Sequence, residues 1–131
     1  LDVHSLFLNT SIIDTSIILS QLRIYDRVLN KTLSTQLNYT PLLLSLTQYL
    51  DRENLIIANS IDPIDLNLEE TLSILGLDVK YNWVNYSTLI GIDFLFNKYN
   101  SKLFPLKIQS NQVDYPVYLY KTNRYRFKKI E

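Results

Sequence analysis

The chain of 131 residues has no cysteine and no methionine, a single histidine, a single alanine and only two glycines. Without cysteine, a disulfide framework, a thiolate nucleophile and a Cys-ligated zinc are all excluded. With His4 as the sole imidazole, a multi-histidine zinc site is impossible. A Ser-His-Asp triad would have to use this near-terminal residue, and no G-x-S-x-G elbow accompanies it. His4 therefore reads as a surface or strand-edge residue. Gly76 and Gly91 stand alone, so neither a P-loop nor a dinucleotide fingerprint can be drawn. No cofactor is expected. Apolar runs are short: Pro41-Leu42-Leu43-Leu44 is interrupted by Ser45, far below bilayer length, so no membrane partner is expected either.

The scarcity of alanine and glycine has local consequences. Helices must be built from Leu, Ile, Ser and Thr, whose intrinsic propensity is lower on average, so burial of a wide apolar face has to supply most of their stability. Tight turns needing positive φ fall to Asn and Asp. What is abundant is apolar: Leu, Ile, Val and Phe make up about 37% of the chain, which excludes disorder. Twelve Asn and ten Tyr complete the bias, which an AT-rich genome explains.

The 13 basic and 13 acidic side chains cancel, which argues against a simple polycationic arm. The cancellation hides a polarity. Residues 1–97 sum to −6, and the 34 residues from Lys98 onward sum to +6. The start at Leu1 rather than Met suggests a domain excised from a larger protein. Four N-x-S/T sequons, at Asn9, Asn30, Asn38 and Asn85, hint only weakly at secretion. The absence of cysteine favours an intracellular setting, nuclear or cytosolic.

Periodicity predicts a helix over about 15–31, capped by Asp14, with Ile17, Ile18, Leu22, Ile24, Tyr25, Val28 and Leu29 on its apolar face. Thr40-Pro41 opens a second helix, ending near Asp51 or Arg52. Residues 54–58 suit a buried strand, and Asn67 with Glu70 has the spacing of a capping box for a short helix ending at Gly76. Alternation of Leu77, Val79, Tyr81 and Trp83 with polar residues predicts a strand. Residues 89–99 are ambiguous between helix and strand. Strands are expected over about 103–108, 117–121 and 124–130, with Thr122-Asn123 as a hairpin turn. The expected fold is a single α+β domain over residues 1–131, with N-terminal helices (14–75) packed on a mainly antiparallel C-terminal sheet (77–130).

Two clusters bear on chemistry. Asp62, Asp65, Glu69 and Glu70, followed by Asp78-Val79-Lys80, have the order of a Mg²⁺-dependent nuclease signature, two carboxylates for the metal and Lys80 for the attacking water or phosphate. The simpler reading is a helix N-terminus that favours negative charge, followed by the solvent face of a strand. The stretch from Lys121 to Lys129 interleaves Arg124, Arg126, Lys128 and Lys129 with Tyr125 and Phe127, the ingredients of phosphate contact and base stacking. In a strand Arg124, Arg126 and Lys128 would share one face and Tyr125 and Phe127 the other; a solvated edge strand protected by its charges has the same pattern. Tyr115, Tyr118, Tyr120 and Tyr125 crowd the same region, and tyrosine is enriched at interfaces.

The sequence thus predicts a non-enzymatic protein–protein interaction module or assembly subunit. The alternative is a nucleic-acid-binding domain, with the Mg²⁺-dependent nuclease a distant third. Contact with partner or nucleic acid is expected at Lys121, Arg124, Arg126, Lys128, Lys129, Tyr118 and Tyr120.

Overall fold

A computed structural model describes residues 4–27 and 29–130. In chain order the elements are β1 (Ser5–Leu8), α1 (Ile12–Ile24), β2 (Lys31–Ser34), α2 (Pro41–Leu46), β3 (Leu55–Asn59), α3 (Leu66–Ile74), α4 (Trp83–Phe96), β4 (Lys107–Gln109), β5 (Gln112–Asp114), β6 (Tyr118–Thr122) and β7 (Phe127–Lys129). They form two compact units: Leu1–Asn59 with Val117–Glu131, and Ser60–Pro116 between those stretches. The fold is α+β, and antiparallel ladders outnumber parallel ones three to two over the two sheets.

The first unit is built on a five-stranded sheet of order β1-β2-β3-β6-β7. β1, β2 and β3 pair in parallel through helical crossovers, while β6 and β7 add antiparallel. Three of its strands therefore come from the first 59 residues, where the sequence suggested one. β1 and β2 are only four residues long, too short for period two to show. The 15–31 helix is shorter than expected and starts earlier. Ser11 caps it by accepting from the Asp14 amide, and it stops at Ile24 as the chain turns through Asp26 at φ 52°. Leu29 then leads into β2, and Val28 lies outside the described residues. α2 does begin at Thr40-Pro41, but ends at Leu46, and a 3₁₀ turn at Tyr49–Asp51 carries the chain to β3.

Leu8, Leu19, Leu43, Leu55 and Ile57 form the core of this unit, joining β1 and β3 to α1 and α2. Each buried leucine or isoleucine contributes about 1.5–3 kcal/mol relative to exposure. The register puts Leu8, Ser34, Ile57 and Tyr120 in one row across the sheet, so one sheet face meets the helices and the other turns away from them.

The second unit holds α3, α4 and the β4–β5 hairpin. Its core is Ile61, Tyr86, Ile90 and Phe104, with Trp83 packed against Tyr115 at 4.8 Å. The helix cap is Asp65 rather than Asn67: its carboxylate accepts from the Asn67 and Leu68 amides. The helix closes at Gly76, at φ 77°. The strand expected at 77–83 is a loop leading into α4. Asn82 accepts from the Asn85 amide and starts the helix, so the alternating pattern records Val79 turned inward, not pleating. α4 also settles residues 89–96 as helix. Residues 103–106 are not strand, and β4 begins only at Lys107.

Candidate interaction surfaces

Of the seven residues predicted to make contacts, Tyr118, Tyr120 and Lys121 lie on β6, Lys128 and Lys129 on β7, and Arg124 and Arg126 in the turn between them. The turn forms as expected at Asn123, but through its side chain: Oδ1 accepts from the amides of Tyr125 and Arg126, at 2.9 and 2.8 Å. Residues 124–126 are thus not a strand, and the period-two sharing of a face by Arg124, Arg126 and Lys128 does not occur. Tyr120 is 6% exposed and stacks on Tyr39 at 4.6 Å. It is a core residue and not a contact residue. Tyr118 is half-buried beneath Lys129, whose Nζ lies 3.3 Å from the ring centroid, a cation–π arrangement. Tyr115 belongs to the second unit, so the four tyrosines do not share one hairpin.

The strand positions facing away from α1 and α2 make a distinct surface. Phe7, Leu33, Ile56 and Lys121 are successive register partners across four strands, and Lys128 extends the row on β7. Phe7 is 63% exposed, and Lys31, Lys121 and Lys128 are exposed on the same face. Lys121 and Lys128 are direct cross-strand partners. Like charges so placed are destabilising, and no described carboxylate pairs with either: among the described residues the ion pairs are Arg23–Asp51 and Lys80–Glu69.

Behind the turn lies a residue that the sequence did not single out. Arg52 is 1% exposed. Its Nη1 donates to the Thr47 carbonyl (2.8 Å) and hydroxyl (3.2 Å), and its Nη2 to the carbonyls of Asn123 (3.1 Å) and Arg124 (3.0 Å). Burial lowers its pKa from the ordinary guanidinium value, with Asp51 and Tyr49 opposing the shift. A guanidinium stays charged under such pressure, so Nη2 serves as a permanent two-donor clamp on the turn. Nη1 anchors it to Thr47, and the buried Nε is left without a partner among the described residues.

A third surface is apolar. α1 buries Thr15, Ser16 and Leu19, while Ile13, Ile17 and Ile24 line its outer side, Ile24 at 72% exposure. The predicted apolar face of this helix is thus divided, with Ile17 and Ile24 facing solvent. The reason is that its apolar residues are spread around the helix between Asp14, Ser16, Ser20, Gln21 and Arg23, and the sheet covers only one side. In the second unit, α4 likewise presents Val84, Ile92, Leu95 and Phe96, the last at 84% exposure.

Three of the carboxylates considered for metal serve other ends. Asp65 caps α3, Asp78 accepts from the amides of Lys80 and Tyr81, and Lys80 pairs with Glu69 at 3.0 Å, which raises its pKa chiefly through that hydrogen bond. Asp78 is not on a strand, and among the described residues no group of three or more His, Cys, Asp or Glu could hold an ion. Asp93, buried in α4, receives the amides of Lys102 and Leu103 and the Ser101 hydroxyl on Oδ2, and Asn97 on Oδ1. Burial pushes this carboxyl up, but the hydrogen bonds together outweigh it and hold the pKa below the usual range.

By unit, the charge polarity keeps its sign for the basic C-terminal strands but is smaller than along the sequence, +3 against −3. The first unit carries nine basic and six acidic side chains, the second four and seven. Among the described residues no helix is long and apolar enough to cross a membrane. No family model matches the chain, and no curated protein or solved structure is similar to it.

Proposed function

We propose that this chain is a non-catalytic protein-interaction module, part of a larger intracellular assembly, and that it docks through the outer face of α1. The observation that carries this reading is the exposed row of Ile13, Ile17 and Ile24 along one side of α1. Contiguous exposed apolar surface marks interaction sites. The partner supplies the missing cover, and the exposed Asp14 and Gln21 of α1 would form the rim of the interface. The apolar side of α4 provides the second unit with a comparable face. Asn38 is fully buried, so the sequon there does not serve as a glycan site in the folded chain, in keeping with an intracellular setting.

Affinity capture with the wild-type chain and with the double variant I17E/I24E tests this reading. A protein captured by the former, lost from the latter and bound directly when purified supports it. Identical captured sets contradict it.

A further inference from the structure

We infer that the sheet face turned away from α1 and α2, continued by the β6–β7 turn, binds single-stranded nucleic acid. This surface is separate from the outer face of α1 and does not depend on the interaction proposed there. Three observations converge on it. First, Lys31, Lys121 and Lys128 stand on one face, and no described strand position on that face is acidic. Arg124 and Arg126 extend the positive surface into the exposed turn. Second, Lys121 and Lys128 are held directly opposite each other with no described carboxylate between them. That arrangement costs stability in the free protein and is relieved when an anion lies across both. Third, two exposed aromatic rings accompany these cations: Phe7 in the same row on β1, and Tyr125, 85% exposed, between Arg124 and Arg126 in the turn.

Cations without aromatics would suit any polyanion. Cations with rings on a flat sheet suit an extended strand, whose phosphates meet the lysines while unstacked bases lie on the rings. Four strands, from β2 to β7, separate the Lys31 and Lys128 rows by about 14 Å at a strand spacing of about 4.8 Å. The charges are therefore spread along a track rather than gathered at one point. The turn is preorganised by Arg52 and Asn123, so Arg124 to Arg126 meet the ligand with little left to order.

The test is fluorescence anisotropy with a labelled dT 20-mer, a labelled U 20-mer and a mixed-sequence duplex of the same length, at 50 and 200 mM salt. With three to five phosphates neutralised, affinity for the single strands should fall roughly 15- to 130-fold over that interval, from a slope of about −0.7 per phosphate. The charge-reversal variant K121E/K128E should bind at least tenfold more weakly. F7A and Y125A should weaken single-strand binding with little change in its salt slope. Circular dichroism and urea midpoints confirm that each variant is folded. Failure of both single strands to bind at 50 mM salt overturns the inference, as does unchanged binding by K121E/K128E. Duplex binding as tight as single-strand binding, or equal displacement by polyglutamate, also overturns it and points instead to a generic polyanion or an acidic protein.

Discussion

The buried guanidinium of Arg52 donates to the main-chain carbonyl of Arg124, 72 residues later, at 3.0 Å. One arginine thus holds the backbone of another whose own side chain is exposed. The contact ties the loop after α2 to the β6–β7 turn, and it sets where the basic surface begins. A buried cation with no carboxylate salt bridge is tolerated here because oxygen acceptors take all four of its Nη donors.

Replacing Arg52 should therefore cost more than its lost packing. R52A leaves the carbonyls of Thr47, Asn123 and Arg124 without this donor and is expected to destabilise the fold by about 3 kcal/mol. R52K keeps the charge but loses the planar fork, so it should fall between wild type and R52A. Urea denaturation followed by circular dichroism measures both.

Asp93 gives a pH dependence of definite sign. Its folded pKa lies below the ordinary carboxylate value. The stability it contributes is thus fully present above the unfolded pKa of about 3.9 and is lost as pH falls through the lower folded value. D93N should lower stability at pH 7 by about 2 kcal/mol, since a charged acceptor of several hydrogen bonds is replaced by a neutral amide. It should also flatten the decline below about pH 4, read from urea midpoints across that range. An unchanged pH profile would contradict the assignment.

Lys128 offers a separation of stability from binding. K128E places a carboxylate opposite Lys121 and turns a repulsive cross-strand pair into an attractive one. The expected gain is about 0.2–1 kcal/mol, seen as a higher urea midpoint. The same variant should bind single strands more weakly. A residue needed only for the fold would not move the two readouts in opposite directions.

On α1, the exposed isoleucines should be dispensable for folding. I17E and I24E are expected to change stability by no more than about 0.5 kcal/mol, since neither residue is in the core. L19E, on the opposite side of the same helix and 2% exposed, should unfold the chain. The contrast, measured by thermal melts, checks which side of the helix is structural.

Much of this architecture was legible in the sequence, but unevenly. Thr40-Pro41, Gly76 and the turn at Asn123 act locally, through capping oxygens, fixed φ or a left-handed residue, and local chemistry is visible in a linear string. The parallel β1–β2–β3 layer was not legible. Its strands are four or five residues long, and β2 presents Thr32 and Ser34 to the interior instead of the expected apolar residues. Alternation at 77–83 misled because Val79 is turned inward from a loop. For the surfaces, the hairpin cations were readable from their density, whereas Tyr120 was not, since its burial depends on Tyr39 from 81 residues earlier. Arg52 was invisible for the same reason: its partners are carbonyls, which carry no side-chain signature. The division of the α1 isoleucines into buried and exposed sides required knowing how much of the helix the sheet could cover.

The most direct test of the account is site-specific photo-cross-linking from position 17 on α1, with position 112 on the exposed β4–β5 hairpin as control. A photoreactive phenylalanine at each site, in the otherwise native chain in cells, reports what lies within a few ångströms. The account predicts a discrete protein adduct from position 17, absent from position 112 and abolished by adding I13E and I24E. Equal labelling from both positions, or an adduct that survives those substitutions, would contradict it.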